Sequence, residues 1–181
     1  TGFITCRDGC GETRSRIFIN ECQAGIGGKV VHRVSMTHKF FGGTLAFGSV
    51  AATQAIRYKA RDFKVLIEDK EPDCSRLIGV VVANGAHCAG GMKLTPRAKP
   101  NDGILDVLLI HDMNPFIRLW NFSRIYSGKH IQSQHFTYQC CRSIRVDAAE
   151  PAFVEADGEL LGTVPLKIEV IPARIRIRCD I

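Results

Sequence analysis

Ala152-Phe153-Val154-Glu155-Ala156-Asp157-Gly158-Glu159-Leu160-Leu161-Gly162 is the stretch on which the reading of the fold turns. Ala152 to Ala156 has the composition of a strand, and an Asp-Gly pair directly after a strand is the strongest short-range signal for a type I′ hairpin. Working outward, Phe136 to Asp147, Leu166 to Ile171 and Arg174 to Cys179 also read as strands, parted by turn signals such as Pro172-Ala173. From His135 to the end the chain is therefore predicted to be all strand. Toward the N-terminus the pattern becomes mixed. Arg16 to Cys22 reads as a strand, Lys29 to Ser35 and Thr44 to Lys59 as helices, and Asp62 to Glu68 as an alternating strand. In the second helix Leu45, Val50, Ala51 and Ile56 form an apolar side. Arg76 to Asn84 reads as a buried strand rich in Val and Ile, and Cys88 to Asn101 as a loop. Ile104 to Ile110 is a further strand. Asn114-Pro115 then opens a helix to about Tyr126, with Asn as the cap and Pro in the first turn.

Runs of strands interrupted by a few helices, without β-α-β alternation, predict an α+β, mainly β fold: an antiparallel β-sandwich-like domain with flanking helices. The 181 residues carry no internal repeat and no interdomain linker, so one domain over residues 1–181 is expected. A chain of this length buries roughly 70% of its unfolded surface, enough for a core without staples. No apolar run approaches the ~20 residues a membrane span requires. The longest, Leu77 to Ala86, already contains Asn84 and Gly85. The start Thr1-Gly2-Phe3 lacks a basic region and an apolar region, so neither secretion nor spanning is expected, and the missing initiator Met predicts a fragment of a longer protein.

Eight cysteines stand at positions 6, 10, 22, 74, 88, 140, 141 and 179, with no C-x-x-C spacing and no paired histidines nearby. They are expected to be reduced and structural, as small buried hydrophobes. The net charge is +6, and Arg174, Arg176 and Arg178 alternate with Ile175 and Ile177, which puts basic side chains on one strand face. Such a face is either solvated or drawn to an anionic surface. No recognition helix or aromatic-rich RNA motif accompanies the charge, so a nucleic-acid partner is not expected.

Three short motifs are candidates for chemistry. Asp157 and Glu159, two positions apart, are either turn residues or a general base and its partner, and a carboxylate pair can also hold a metal. Asn101-Asp102-Gly103-Ile104-Leu105-Asp106 is a turn entering a strand, where a carboxylate beside backbone carbonyls can grip a hard cation. Asn84-Gly85 through Gly90-Gly91-Met92 permits either a tight turn or close approach to a ligand, and Gly25-Ile26-Gly27-Gly28 before a helix can cradle an anion.

Read in order, Val82-Ala83-Asn84-Gly85, Gly90-Gly91-Met92, Pro96-Arg97-Ala98, Asn101 to Val107, Tyr126-Ser127-Gly128-Lys129-His130 and Asp157 to Gly162 with Pro165-Leu166 resemble the C-terminal half of the diacylglycerol kinase/sphingosine kinase superfamily, nearest its bacterial soluble lipid kinases. The resemblance runs from about Arg16 to Arg178. It implies the C-terminal domain of an NAD kinase/diacylglycerol kinase-like fold, with an N-terminal nucleotide-binding domain absent from this chain. It implies Glu159 as the proton acceptor with Asp157 beside it, and Asn84, Gly90 and Gly91 on the cofactor-binding side. A structural Mg²⁺ is implied at Asp102, with backbone carbonyls of Leu105 and Val107. The family's glycine triplet reads Ala89-Gly90-Gly91 here, and an acid often found after the first Gly-x is Gly27.

The function this implies is ATP-dependent phosphorylation of a hydroxyl on a diacylglycerol- or sphingosine-like lipid, by a cytoplasmic protein peripheral to an anionic membrane surface. Its partners would be the lipid and ATP, with a homodimer left open. The isolated fragment is expected to be inactive, since it holds no Gly-rich phosphate loop of its own. A non-catalytic lipid-binding or regulatory module that kept the fold is the competing reading. A nicotinamide-nucleotide kinase is the third, and it suits the Asp157–Gly162 hairpin less well.

Overall fold

The structure, a computed structural model, describes residues 1–37 and 43–175. Ten strands form one antiparallel sheet system: β1 (Gly2–Arg7), β2 (Thr13–Phe18), β3 (Glu21–Gly25), β4 (Arg61–Ile67), β5 (Asp73–Ala83), β6 (Leu105–His111), β7 (Phe136–Cys141), β8 (Ser143–Ala148), β9 (Phe153–Ala156) and β10 (Glu159–Val170). Three helices flank it: α1 (Ile26–Thr37), α2 (Gly43–Arg57) and α3 (Pro115–Ile125).

Two long strands close the sheet on itself by changing partners halfway. The first half of β5 pairs with β4 and its second half with β3, while the other edge pairs with β6. The first half of β10 pairs with β9 and its second half with β8, while the other edge pairs with β1. Because β4 pairs with β8 and β3 with β9, the ring β10-β8-β4-β5-β3-β9 is complete, and a closed ring leaves no edge inside it to aggregate. Its interior is apolar and dry: Ile4, Phe18, Phe63, Val65, Leu77, Leu105, Val107, Leu109, Ile144, Val154, Ala156 and Ile168 are all buried there. A second apolar cluster lies outside the ring, on the far face of β5 and β6, where Ile78, Val81, Leu108 and Ile110 meet Met92, Leu94 and Met113 under α3.

The mainly β, barrel-like antiparallel fold with flanking helices is as the sequence predicts, but several boundaries are not. The strand expected over Arg16 to Cys22 is broken at Ile19-Asn20 into β2 and β3, and the one over Phe136 to Asp147 is broken at Arg142 into β7 and β8. The closing strand starts at Glu159, not Leu166, and β1 was not anticipated. Arg174 and Ile175 lie outside any strand and are exposed, and the rest of the predicted strand at 174–179 lies outside the described residues. On α2, Ala51 and Ala55 face inward, whereas Ile56 is exposed and Gln54 is buried; Leu45 has no described side chain. The seven described cysteines are free thiols, but only Cys6, Cys22, Cys88 and Cys141 are buried, and Cys10, Cys74 and Cys140 are exposed. Asn114 caps α3 as predicted, accepting from the Phe116 N–H at 2.9 Å.

Candidate functional site

The Asp157-Gly158 turn is a type I′ hairpin, with φ of 49° and 82° at its two central residues. Asp157 does more than turn the chain. Its carboxylate accepts from three successive backbone amides of a segment far away in sequence: Ile19 at 2.7 Å, Asn20 at 2.9 Å and Glu21 at 3.0 Å. Asn84 holds the same segment from the other side, donating from Nδ2 to the Ile19 carbonyl at 2.9 Å. The break between β2 and β3 is therefore fastened by two residues the sequence singled out for chemistry. A carboxylate taking up three amides has little capacity left for a proton in transit.

Glu159, the first residue of β10, is exposed and forms an ion pair with Arg16 of β2. The Arg16 guanidinium holds its carboxyl below the usual carboxylate range. It is not the unencumbered acid that its position just past a turn suggests. Gly90 and Gly91 sit at positive φ in the turn between Cys88 and Met92, which close a β-bridge on each other. Asp102 caps its own turn, its Oδ1 accepting from the Ile104 N–H at 3.0 Å. Leu105 and Val107 are fully buried in β6, where Val107 is paired on both sides. Next to this turn, Asp106 is buried, accepts from the Tyr138 hydroxyl at 2.7 Å, and is pushed up by burial and then by the charge of Asp102. Among the described residues, no three His, Cys, Asp or Glu side chains gather into a metal-holding cluster.

The glycines in the first turn of α1 are explained by packing. A Cβ on Gly28 would stand 2.3 Å from the Phe153 carbonyl oxygen, and one on Gly27 would meet the Gln23 side chain, so these glycines let α1 lie directly against β9 and β3.

Between that helix, α2, α3 and the outer face of the ring lies a cavity of about 700 Å³. Val30, Val34, Ala51, Ala55, Ile110 and Phe122 are among its apolar walls. Its polar groups are concentrated where β3 and β9 meet: Glu21, Gln23, Glu155 and Asp157. On the opposite wall α3 contributes Arg118 and Asn121, both buried. Arg118 binds the carbonyls of Tyr58 at 2.7 Å and Met113 at 3.2 Å and pairs with Asp112 at 3.4 Å. Glu21 and Glu155 were missed by the sequence reading. The one available signal was an acid inside a short apolar strand, Phe153-Val154-Glu155-Ala156. Burial, and then for Glu155 the neighbouring Glu21, push them up to about 7 and about 8 respectively.

The model of the family described as "YegS C-terminal NAD kinase beta sandwich-like domain" matches residues 20–179. A relative from Pseudomonas aeruginosa (strain PAO1), named "Probable lipid kinase YegS-like", is 27% identical over 175 residues, covering 92% of this chain and 54% of its own. A "Diacylglycerol kinase" from Mycobacterium tuberculosis (strain H37Rv) is 23% identical over 122 residues, covering 67% of this chain and 39% of its own. A solved structure described as a diacylglycerol kinase from Bacillus anthracis str. Sterne overlays with a TM-score of 0.55 at 17% identity, covering 95% of this chain and 51% of that one; the likeness is one of fold. The chain spans about half the length, or less, of the curated relatives it matches.

Proposed function

Since the chain belongs to the YegS C-terminal NAD kinase beta sandwich-like domain family, we propose that it is the lipid-holding, C-terminal part of an ATP-dependent lipid kinase acting on a hydroxyl of a diacylglycerol- or sphingosine-like lipid. The observation that carries this is the cavity: about 700 Å³, apolar over most of its wall, with acids gathered where β3 and β9 meet and Arg118 and Asn121 across from them. That volume falls within the about 300–1,000 Å³ of small-molecule sites, and the layout matches a ligand with a long apolar tail and a small polar head.

In this reading the remainder of the longer protein supplies ATP binding, because phosphoryl transfer asks the protein for positioning, charge neutralisation and a base, which two domains can share. Asn84, Gly90 and Gly91 would face the nucleotide. Glu159 is the proposed acceptor of the lipid hydroxyl's proton, and Asp157 positions it by clamping the turn from which β10 starts. Arg16 keeps Glu159 ionised and so ready to accept, at the expense of basicity. Asp102 and Asp106 are close enough to feel each other's charge and, among the described residues, neither is in an ion pair, though the charge of Arg97 also reaches Asp106; a carboxylate in this setting is a ligand for a hard cation. Asp102 and the second lone pairs of the Leu105 and Val107 carbonyls would hold Mg²⁺, which when bound neutralises that charge and ties the turn to β6.

Contact with an anionic membrane surface is proposed through α3. This helix is inverted: Arg118 and Asn121 are buried, while Phe116 is 83% and Trp120 66% exposed, flanked by Ile117 and Leu119. An outward aromatic and aliphatic face on a chain of net charge +6 is the composition that settles into a headgroup layer. No helix among the described residues is long and apolar enough to cross a membrane.

The test is phosphate transfer from ATP to diacylglycerol in mixed micelles. The full-length protein turns over, the isolated 181-residue chain does not, and Glu159→Gln in the full-length protein lowers kcat by about 10²–10⁴ with KM for ATP unchanged. A wild-type rate for Glu159→Gln together with a dead Asp157→Asn reverses the two roles. Lipid binding without turnover by the full-length protein favours the non-catalytic module, a reading to which the Arg16–Glu159 ion pair lends weight because it weakens the base.

A further inference from the structure

Strand alternation places Glu21 and Gln23 of β3 on the outward face, and Glu155 of β9, paired in register with Gln23, on the same face. Their neighbours Cys22, Ala24, Val154 and Ala156 point into the ring. α1 then covers the outward face, so these polar side chains are not solvated: Glu155 is 1% exposed and Glu21 7%. Both line the cavity. Glu155 Oε2 accepts from the Gly158 N–H at 2.9 Å, but Oε1 is buried with no hydrogen-bond partner.

The charged and titratable groups packed around this oxygen have other partners, although His32 Nδ1 and Arg118 Nε are themselves buried without a hydrogen bond. On α1, the Lys29 ammonium lies 4.8 Å from the centre of the Phe153 ring and His32 stacks on that ring, with Arg33 beside it in sequence. Asp157 is held by three amides, and Cys88 bonds Glu21. Arg118, across the cavity, is engaged by Asp112 and two carbonyls. Among the described residues nothing donates to Glu155 Oε1, and a buried carboxyl oxygen without a donor is costly. The unmet acceptor faces the space that the lipid reading fills.

We propose that Glu155, with Glu21 beside it, is the specificity-determining residue of the cavity: it admits an amphiphile whose polar end donates a hydrogen bond, a hydroxyl or an ammonium, and shuts out an anionic end of the same length. This rests on the reading of the cavity as a lipid site. A hydroxyl supplies one donor to Oε1, and an ammonium supplies three with a compensating charge. A carboxylate or phosphate is acceptor-only at this point and adds like charge to a pair already short of counter-charge, which in a low-dielectric pocket is strongly unfavourable.

The experiment is calorimetric binding of 1-dodecanol, dodecylamine and dodecanoate to the full-length protein at pH 9, above the values of about 8 for Glu155 and about 7 for Glu21, where both carboxyls are charged. The alcohol and the amine are expected to bind about 10- to 100-fold more tightly than dodecanoate, the size of a hydrogen bond to a charged group made or lost. Glu155→Gln should keep the alcohol near its wild-type affinity and raise that of dodecanoate by about tenfold or more. A gain for dodecanoate with the alcohol unchanged does not come from a damaged fold, whose exposed apolar surface would take up all three ligands. An amine tighter than the alcohol supports a pair acting as an anion, and equal affinities support a pair that keeps its proton. Should Glu155→Gln not fold, Glu21→Gln is read the same way, with a smaller gain for dodecanoate. Dodecanoate binding as tightly as the alcohol in the wild type overturns the proposal, as does discrimination that survives both variants. If none of the three binds, the lipid reading of the cavity falls with it; if all three bind alike, that reading stands and only the selectivity is lost.

Discussion

Along β9 and β3, the residues that point into the ring are small, apolar and fully enclosed, whereas those that point out toward α1 include two acids enclosed almost as well, Glu21 and Glu155, beside the half-buried Gln23 and Phe153. Val154 and Glu155 are neighbours in one strand, at 0% and 1% exposure, yet one meets only apolar partners and the other keeps a carboxyl oxygen with none. Inside the ring every alternate residue from the strands contributes to a packed core, and stability is the only property such packing serves. Outside it, the helices cover the sheet incompletely and enclose polar groups together with about 700 Å³ of space. Buried polar groups without partners are destabilising, so under the lipid reading the outer layer carries the function and the inner one bears its cost.

The sharpest way to break this contrast is a matched pair of size changes. Leu109→Ala, fully buried in the ring, should cost about 2–5 kcal/mol through the void it leaves. Ala55→Leu, equally buried but facing the cavity, adds the same atoms where there is room, and should change stability by less than about 1 kcal/mol while weakening lipid binding. Equal penalties in urea would show that the outer layer is as tightly packed as the ring.

Next comes the clamp that joins the two layers. Asp157→Ala leaves three backbone amides, one of them part-buried, without their acceptor, so unfolding in urea should show a loss of about 1–3 kcal/mol. A loss within a few tenths would mean that water replaces the carboxylate and that the turn stands without it.

A pH series tests the polar side of the contrast. Glu155 is pushed up to about 8, so between the ordinary carboxylate range and that value the folded protein binds more proton than the unfolded chain. Wild-type stability should therefore fall as pH rises from about 4.5 to about 8. Glu155→Gln lacks that slope, and should be the more stable form above pH 8 by roughly 1–3 kcal/mol. Parallel stability curves for the two proteins across this range would mean that Glu155 is not desolvated.

The same division decides what could be read from the sequence. Local chemistry was legible: Asn114-Pro115 starts α3, and Asp157-Gly158 makes its hairpin, because each is specified by neighbours. The break at Ile19-Asn20 was not, since the acceptor that holds it, Asp157, is 137 residues from Asn20. The inner face was legible as alternation. Glu155 was not, because a strand pattern of apolar and polar residues reads as core and solvent, and nothing in the pattern says that a helix will close over the polar side. Of the candidate site, Asp157 and Asn84 were singled out and also fasten the segment at Ile19, whereas Glu21 and Glu155 of the cavity were passed over.

The last and smallest change in stability is expected where periodicity was most misleading. Phe116, Ile117, Leu119 and Trp120 look like the core side of α3, yet the helix buries Arg118 and Asn121 and leaves the four outside. The partners differ: Arg118 reaches the carbonyls of Tyr58 and Met113 beneath the helix, Asn121 bonds back to the Ile117 carbonyl of α3 itself, and Phe122 and Ile125 supply the apolar contact with the cluster below. Side chains this exposed contribute little to folding, and Phe116→Ala with Trp120→Ala should leave stability within about 0.5 kcal/mol of wild type. If the outward face rests on a bilayer, the same double variant of the full-length protein should lose about tenfold or more in sedimentation with vesicles containing anionic lipid, because two aromatic side chains no longer leave water on docking. Unchanged vesicle binding with unchanged stability would leave the apolar face without a membrane role. A large loss of stability would mean that the face is covered within the full-length protein, and would move α3 from the outer, functional layer of this comparison to the inner one.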